Sequence, residues 1–593
     1  MKRFCITALM MLSFCIMHGQ ERPDILKEGF ENPPSHVRPQ VWWHWMNGNI
    51  TKDGIRKDIE WFKRIGLGGF HVFDASFSTP QVVEERLVYM TEEWQDAFKY
   101  AIDLADSLGL EVTIPSSPGF SSTGGPWVKP EEAMKKIVWR EMMVEGGRKI
   151  KTSLPDPYTI TGKFQNYGMK KGPSVVDSGE VMGESYSDIA VVAVRLPEDY
   201  KTLPELGAAV SSSGGTFTLE QLTNGDLSDT ERLPAGEDGY SWIQYSFPEP
   251  QTIRSLSVIN DIVRNERHSL PAHCEDSLQI SDDGINFTTA FGIPVGDALR
   301  QTISFKPITA KHFRLKHKNP VSAYHYTMKE RRPDPEYSEI AEFVIYPETR
   351  INHVEEKAGF GSAHDIELNP TPCADDATCS AVIDLSDKVK DGRLIWKAPE
   401  GRWMVYRIGA SLTGKQNHPA SPEATGLEVD KLDKDAWERH FRCYLDMNKE
   451  AVKGRIGKER IGYMLVDSYE AAHQNWTPRL REEFTQRRGY DPVLWYPVLT
   501  GIILKSPQQS ERFLWDWRKT IGELFEENFG ALDKLVKEEY GMKGCYVESH
   551  GNGRAFIADG MSMKSHCDLP MSEIWVQGKV GTQNRVQEGI SDI

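Results

Sequence analysis

Tyr463-Met464-Leu465-Val466-Asp467-Ser468-Tyr469-Glu470, followed by Asn475-Trp476-Thr477, is the stretch on which the fold turns. An apolar run that stops at acids and an aromatic is how a buried parallel strand reads when it opens into the mouth of a barrel. Glu470 is therefore the first candidate catalytic residue. Cys545-Tyr546-Val547-Glu548-Ser549-His550 repeats the pattern and adds Glu548, and Pro570-Met571-Ser572-Glu573-Ile574-Trp575 adds Glu573 beside a tryptophan.

Upstream, residues 41–139 alternate strand and helix. Val41 to Trp45 reads as a strand, Ile55, Ile59, Phe62 and Ile65 recur on one helical face, and Phe70 to Phe73 is a second strand. Thr91 caps a helix carrying Trp94, Phe98, Ile102 and Ala105, Gly109 ends it, and Leu110 to Ile114 is a third strand. After about residue 145 the texture becomes short alternating strands between turns, among them Trp242 to Phe247, Ser255 to Ile259, Leu278 to Ser281, His312 to Lys316 and Ile340 to Ile345. The βα texture then returns with a helix over Asp435 to Met447 and a long one lined by Phe513, Trp517, Ile521, Leu524, Leu532 and Leu535. Further strands are predicted at 544–547 and about 571–575.

The expected fold is α/β: a TIM-like (β/α) barrel interrupted after its third strand by a β-sandwich insertion. Residues 20–145 and 401–593 form the two parts of the barrel, and 146–400 form the insertion. Within the insertion, about 217–346 resembles a discoidin-like jelly roll through its Ser281-Asp282-Asp283-Gly284 hairpin and its Phe313-Arg314-Leu315 strand. Only six barrel strands are counted, and Arg585 to Ile593 reads as the start of a helix, so the barrel is expected to be truncated at its C-terminal end, as in a piece of a longer protein.

With 593 residues the chain is too long for one core, and two to four domains are expected. Its 39% hydrophobic and 26% charged residues describe a globular protein, and a net charge of -16 without a basic stripe argues against a nucleic-acid partner. Lys2 and Arg3 precede an apolar run from Phe4 to Met17, so residues 1–19 read as a cleavable signal peptide and the protein as secreted or periplasmic. No later segment has the length and apolarity of a membrane span.

Carboxylates at strand ends amid aromatics suit the cleavage of a glycosidic bond, which needs one group to protonate the departing oxygen and another to attack or to activate water. Glu470 is read as the general acid, its pKa raised by burial against Tyr469 and Trp476. Glu573 is the leading second carboxylate and Glu548 the next. A single glutamate after a strand also fits a cap or a surface ion pair; three in equivalent places favour a site. His44, Trp45, Asn47, His71, Asp74, Tyr469, Trp476 and Trp575 are the expected substrate-binding residues, as polar groups or stacking platforms around an oligosaccharide or polysaccharide.

Together, Pro39-Gln40-Val41-Trp42-Trp43-His44-Trp45-Met46-Asn47-Gly48, Gly69-Phe70 with Phe73, Ser117-Pro118-Gly119 through Gly124-Gly125-Pro126-Trp127, Asp467-Ser468-Tyr469-Glu470 and Pro570-Met571-Ser572-Glu573-Ile574-Trp575 resemble glycoside hydrolase family 106 from about residue 38 onward. The resemblance implies calcium-dependent hydrolysis of terminal α-L-rhamnose with inversion, on pectic, rhamnogalacturonan-type glycans. It places the acid on Glu470 and a second family glutamate on Glu573, while Ser572 stands where relatives tend to have glycine. Another family glutamate lies beyond the end of this chain, so the base stays open. Inversion requires the two carboxyl groups to stand roughly 6.5–9.5 Å apart. No EF-hand loop is present, so calcium ligands would come from separate strand ends, with Glu548, Glu573 and Asp568 as candidates. The rival expectation is a non-catalytic carbohydrate-binding protein or an inactive fragment of such an enzyme.

Overall fold

The computed structural model describes residues 24–76, 79–159, 183–260, 274–294, 298–321, 333–361, 366–372, 381–458, 460–471, 473–548, 557–572, 575–579 and 582–587. The stretch read as a signal peptide lies outside them. Among the described residues no helix is long and apolar enough to cross a membrane.

Six strands pair in one sheet in the order in which they occur along the chain: β1 (Gln40–Met46), β2 (Gly69–Ala75), β3 (Glu111–Pro115), β4 (Ile461–Val466), β5 (Gly544–Val547) and β6 (Leu569–Pro570). Every pairing is parallel, including β3 to β4 across some 345 intervening residues. Parallel neighbours need a crossover, and helices supply it on one face of the sheet. The main ones are α1 (Lys52–Arg64), α2 (Glu92–Ser107), α3 (Lys434–Ala451) and α4 (Pro507–Glu538). Each starts at a side-chain cap, from Thr51, Thr91, Asp433 and Ser506 respectively, which satisfies backbone N–H groups that the helix cannot. Ile55, Ile59 and Phe62 of α1 and Trp94, Phe98 and Ile102 of α2 are buried on the sheet side, as their spacing predicts.

The opposite face is concave. His71 of β2 and Tyr546 of β5 meet with ring centroids 5.2 Å apart, although three strand spacings separate them. In a flat sheet that separation would be about 14 Å. The sheet therefore curls, and the residues alternating with the helix-facing ones line its hollow side. Among the described residues β6 and β1 are edges.

The long interruption is antiparallel. Lys135–Glu145, Tyr186–Arg195, Val382–Asp384 and Arg402–Leu412 make a four-stranded sheet, so this texture begins at Lys135 and ends at Leu412. One face of that sheet, with Val192, Ile408 and Ala410, joins the core of the parallel unit, while Val191, Ala193 and Val405 join a smaller core with Trp396 and Trp403. Between residues 209 and 346, Tyr240–Asn260 and Arg300–Lys318 pair along their length with register shifts near Ser304 and Ala310. The paired strands fold over themselves, stacking Tyr245 on Phe343 at 5.1 Å around one apolar core.

Two expectations fail at the C-terminal end. The strand predicted at about 571–575 is instead β6 at Leu569–Pro570, and Trp575–Lys579 pairs antiparallel with Thr582–Gln587. The predicted helix from Arg585 is thus a strand as far as Gln587, where backbone pairing sets Arg585 opposite Gln577, Val586 opposite Val576 and Gln587 opposite Trp575. Residues 588–593 lie outside the described part.

Candidate active site

Alternation along the strands sorts the candidate residues. On β1, Trp43 and Trp45 turn to the helices and Trp42 and His44 to the concave side: Trp45 lies 5.7 Å from Trp94 and 6.3 Å from Phe98 of α2, whereas Trp42 and His44 lie 4.5 and 5.5 Å from Phe73. Trp42, His44, Phe73 and Phe120 form an aromatic wall, with Phe120 supplied by the loop after β3. Burial lowers the pKa of His44, so the ring is held neutral near pH 7.

Trp45 and Asp74 are corrections. Trp45 is fully buried in the helix-side core and offers no platform to a sugar. Asp74 also faces the helices: its Oδ2 accepts a hydrogen bond from the Trp94 indole N–H at 3.0 Å, and burial pushes its pKa up to about 7. Asn47, with φ of 51°, ties the loop after β1 to the loop after β2, its side-chain amide donating to the Thr79 carbonyl at 2.7 Å. His71 is on the concave side but lies deep, against Tyr546 and 2.9 Å from Gln40 Oε1 near the start of β1; burial lowers its pKa to about 4. Tyr469 and Trp476 are buried too, Tyr469 beside Phe525 of α4 and Trp476 stacked on Trp517 at 6.4 Å.

Past β4 and β5 the concave side ends in carboxylates. Tyr463, Leu465 and Asp467 share a face by alternation, as do Tyr546 and Glu548, and the Glu548 N–H continues the ladder to the Val466 carbonyl at 3.0 Å. Asp467 and Glu548 thus stand level on adjacent strands, both buried, with Asp467 Oδ1 accepting from the Ser468 N–H at 2.7 Å. Glu470, three residues on, is partly exposed, and its Oε2 lies 3.7 Å from Nε2 of His418.

His418 reaches the mouth from the segment between Leu412 and α3. Gly119, with φ of +83°, lets the loop after β3 pass that segment at a distance where a Cβ would fall 2.6 Å from His418 backbone. The Phe120 N–H donates to the His418 carbonyl, and the Ser76 N–H to the Pro419 carbonyl. Ser121 Oγ lies 3.4 Å from His418 Nδ1 and accepts from the His418 N–H at 2.8 Å. Below, Glu428 accepts from Lys431 at 2.7 Å and from Thr123, and that cation holds the buried carboxyl below the usual range despite desolvation. Asp430, whose pKa burial raises to about 6, accepts from Thr477 Oγ1 at 2.9 Å and from the Gln474 amide, tying down the loop that follows Glu470.

Glu573 and the side chain of Trp575 fall outside the described residues, and with them the Glu470–Glu573 pair. Asp568 precedes β6, at the end of the sheet away from the mouth, where it pairs with Lys537 at 2.6 Å. It cannot share an ion with Glu548. Among the described residues no three His, Cys, Asp or Glu side chains converge as a metal site; Glu573, the third calcium candidate, lies outside them. Sequence reading missed Asp467, Trp42, Phe120 and His418 as site residues. Alternation from Tyr463 and from His44 carries the signal for the first two; Phe120 and His418 arrive by loop crossings that leave none.

The family profile of glycoside hydrolase family 106, described as alpha-L-rhamnosidase, matches residues 31–593. The structure of a rhamnosidase from Novosphingobium sp. PP1Y superposes with a TM-score of 0.79 at 37% identity, covering 93% of this chain and 50% of that one. A Formosa agariphila protein provisionally named a beta-glucuronidase is 26% identical over 579 residues, which are 97% of this chain and 34% of that protein. The chain thus spans half or less of the length of these relatives. On the profile match and the superposition, the chain belongs to glycoside hydrolase family 106, the α-L-rhamnosidase family.

Proposed function

We propose that the protein of which this chain is part hydrolyses terminal α-L-rhamnose from pectic, rhamnogalacturonan-type glycans with inversion. The observation that carries the reading is the set of carboxylates past the ends of β4 and β5: Glu548 and Asp467 buried and level, Glu470 partly open beside His418. Two carboxyl groups in unlike surroundings are what acid and base roles need. Glu470 gives its proton to the departing glycosidic oxygen. Glu548, or Glu573, takes a proton from the water that attacks C1 from the opposite face, so the hydroxyl forms as the glycosidic bond breaks. Trp42 and Phe120, backed by the buried ring of Phe73, offer apolar area to a sugar face.

The strands β1 to β6 are read as the first six of a (β/α) barrel, and about residues 217–346 as a jelly roll within the insertion. Export to the periplasm or beyond agrees with the leader-like residues 1–19. The calcium dependence that the family implies is a separate expectation: dialysis against EDTA should abolish turnover in the full-length protein and added Ca2+ restore it, and an unchanged rate removes the requirement.

The deciding experiment compares Glu470→Gln and Glu548→Gln on a natural rhamnoside and on an aryl rhamnoside with a good leaving group. Loss of the acid should cost about 10²–10⁴-fold on the natural linkage and much less on the activated one, because that leaving group departs without a proton. Loss of the base should impair both. NMR of the first-formed sugar should show the β-anomer. Full activity of Glu470→Gln on the natural linkage removes the proposed acid, and an aryl glucuronide turned over in place of the rhamnoside would favour the activity for which the Formosa relative is named.

A further inference from the structure

Between residues 209 and 346 the sheet has a second surface of unusual composition. On the paired strands Tyr240–Asn260 and Arg300–Lys318, the residues Ile243, Tyr245, Phe313 and Leu315 are buried in the core. The alternating positions therefore face outward: Tyr240, Trp242 and Gln244 on one strand, Arg314, Lys316 and Lys318 on the other. The register sets Lys316 opposite Trp242, Arg314 opposite Gln244 and Lys318 opposite Tyr240. No outward position from 240 to 246 or from 312 to 318 is acidic, in a chain whose net charge is -16.

The cations are held in place by their neighbours. The Arg314 guanidinium lies 4.4 Å from the ring of Trp242 and 3.5 Å from that of Phe287, and the ammonium groups of Lys316 and Lys318 lie 4.1 and 4.6 Å from the ring of Tyr240. Arg314 gives two N–H bonds to Gln244 Oε1, at 3.1 and 2.7 Å, from a group with five. Among the described residues neither Arg314 nor Lys316 forms an ion pair. Two acids at the turns are committed elsewhere: Asp238 Oδ1 accepts from the Tyr240 N–H, and Asp283 caps its own turn through Ile285, Asn286 and Ser281.

We propose that this outer face binds a polyuronate chain, with Arg314, oriented by the buried Gln244 amide, and Lys316 meeting successive carboxylates while Gln279 on the next strand meets hydroxyls. Cations that alternate along a strand stand about 6.7 Å apart, so they engage an extended acidic polymer better than one compact anion. The mixture of few cations with neutral amides suits a ligand rich in hydroxyls. A nucleic acid would need a denser basic surface and would meet the repulsion of the acidic remainder of the chain. The proposal rests on the glycan-hydrolase reading for its choice of polymer, since it makes this face an anchor for the acidic backbone that bears the rhamnose.

The test is calorimetric titration of the full chain with oligogalacturonate, its methyl ester and single-stranded DNA at equal length and about 150 mM salt. The free acid should bind, and the ester and DNA at least tenfold more weakly. Arg314→Ala and the milder Lys316→Gln should each weaken oligogalacturonate binding at least fivefold, with circular dichroism confirming an unchanged fold; Lys316→Gln keeps the test alive should the first variant unfold. Equal binding of acid and ester, equal binding of DNA, no binding by the wild type, or full binding by a folded Lys316→Gln would overturn the assignment. Hydrolysis of an aryl rhamnoside by the wild type reads the proposed catalytic function independently of this surface.

Discussion

The two faces of β1 and β2 carry nearly the same chemistry and have opposite fates. Trp43, Trp45 and Asp74 face the helices, where the rings pack edge to face and the carboxyl is sealed against the Trp94 indole. Trp42, His44 and Phe73 face the hollow of the sheet, where Trp42 keeps 38% of its surface exposed. The same residue types become core on one side and candidate binding surface on the other, because side chains along a strand alternate and only one side is covered by helices. Composition at a strand end is thus weak evidence for a site; composition on the uncovered face is strong evidence.

That contrast can be broken most forcefully at the mouth. Asp467→Asn and Glu548→Gln, both on the hollow side, should lower turnover of rhamnosides about 10²-fold or more while leaving the melting temperature within a few degrees. Asp74→Asn, on the covered side, should leave turnover unchanged. Activity loss of similar size in all three would dissolve the distinction. Trp45→Ala should destabilise the protein by about 3–5 kcal/mol in denaturant titration, and Trp42→Ala by about 1 kcal/mol, with weaker substrate binding as its main effect.

Asp74 sharpens the comparison through pH. Its folded pKa of about 7 lies above the unfolded value, so the native state holds this proton more tightly. The contribution to stability is full below about pH 4 and is lost as pH rises through 7. Unfolding of the wild type against Asp74→Asn should therefore diverge on going from pH 5 to pH 8, the asparagine variant becoming the more stable by up to a few kcal/mol. A constant difference across that range would show that Asp74 is ionised in the native protein. The smallest effect is expected for Tyr469→Phe: with its ring buried beside Phe525, turnover should change less than about threefold, and a larger loss would return Tyr469 to the site.

Local pattern was sufficient for the elements. The caps at Thr51 and Thr91, the helical spacing of Ile55, Ile59 and Phe62, and the apolar runs before Asp467 and Glu548 all act over a few residues, and each appears where its sequence places it. The resemblance to family 106, visible in the motifs, is shown by the profile match. At the C-terminal end the helix expected from Arg585 is a strand as far as Gln587, since short segments with few apolar residues fit either helix or strand.

By itself, the sequence determined the strands β1 to β5, the helices between them and which carboxylates follow β4 and β5, because those properties follow from short-range periodicity and capping. Only the tertiary structure decided that Tyr469, Trp476, Trp45 and Asp74 are walled into the core, and that Phe120 and His418 come to the mouth from loops almost 300 residues apart. The reason is the curl of the sheet: once β2 and β5 bend until His71 meets Tyr546, one side of every strand is shut by helices and the other is left to hold chemistry.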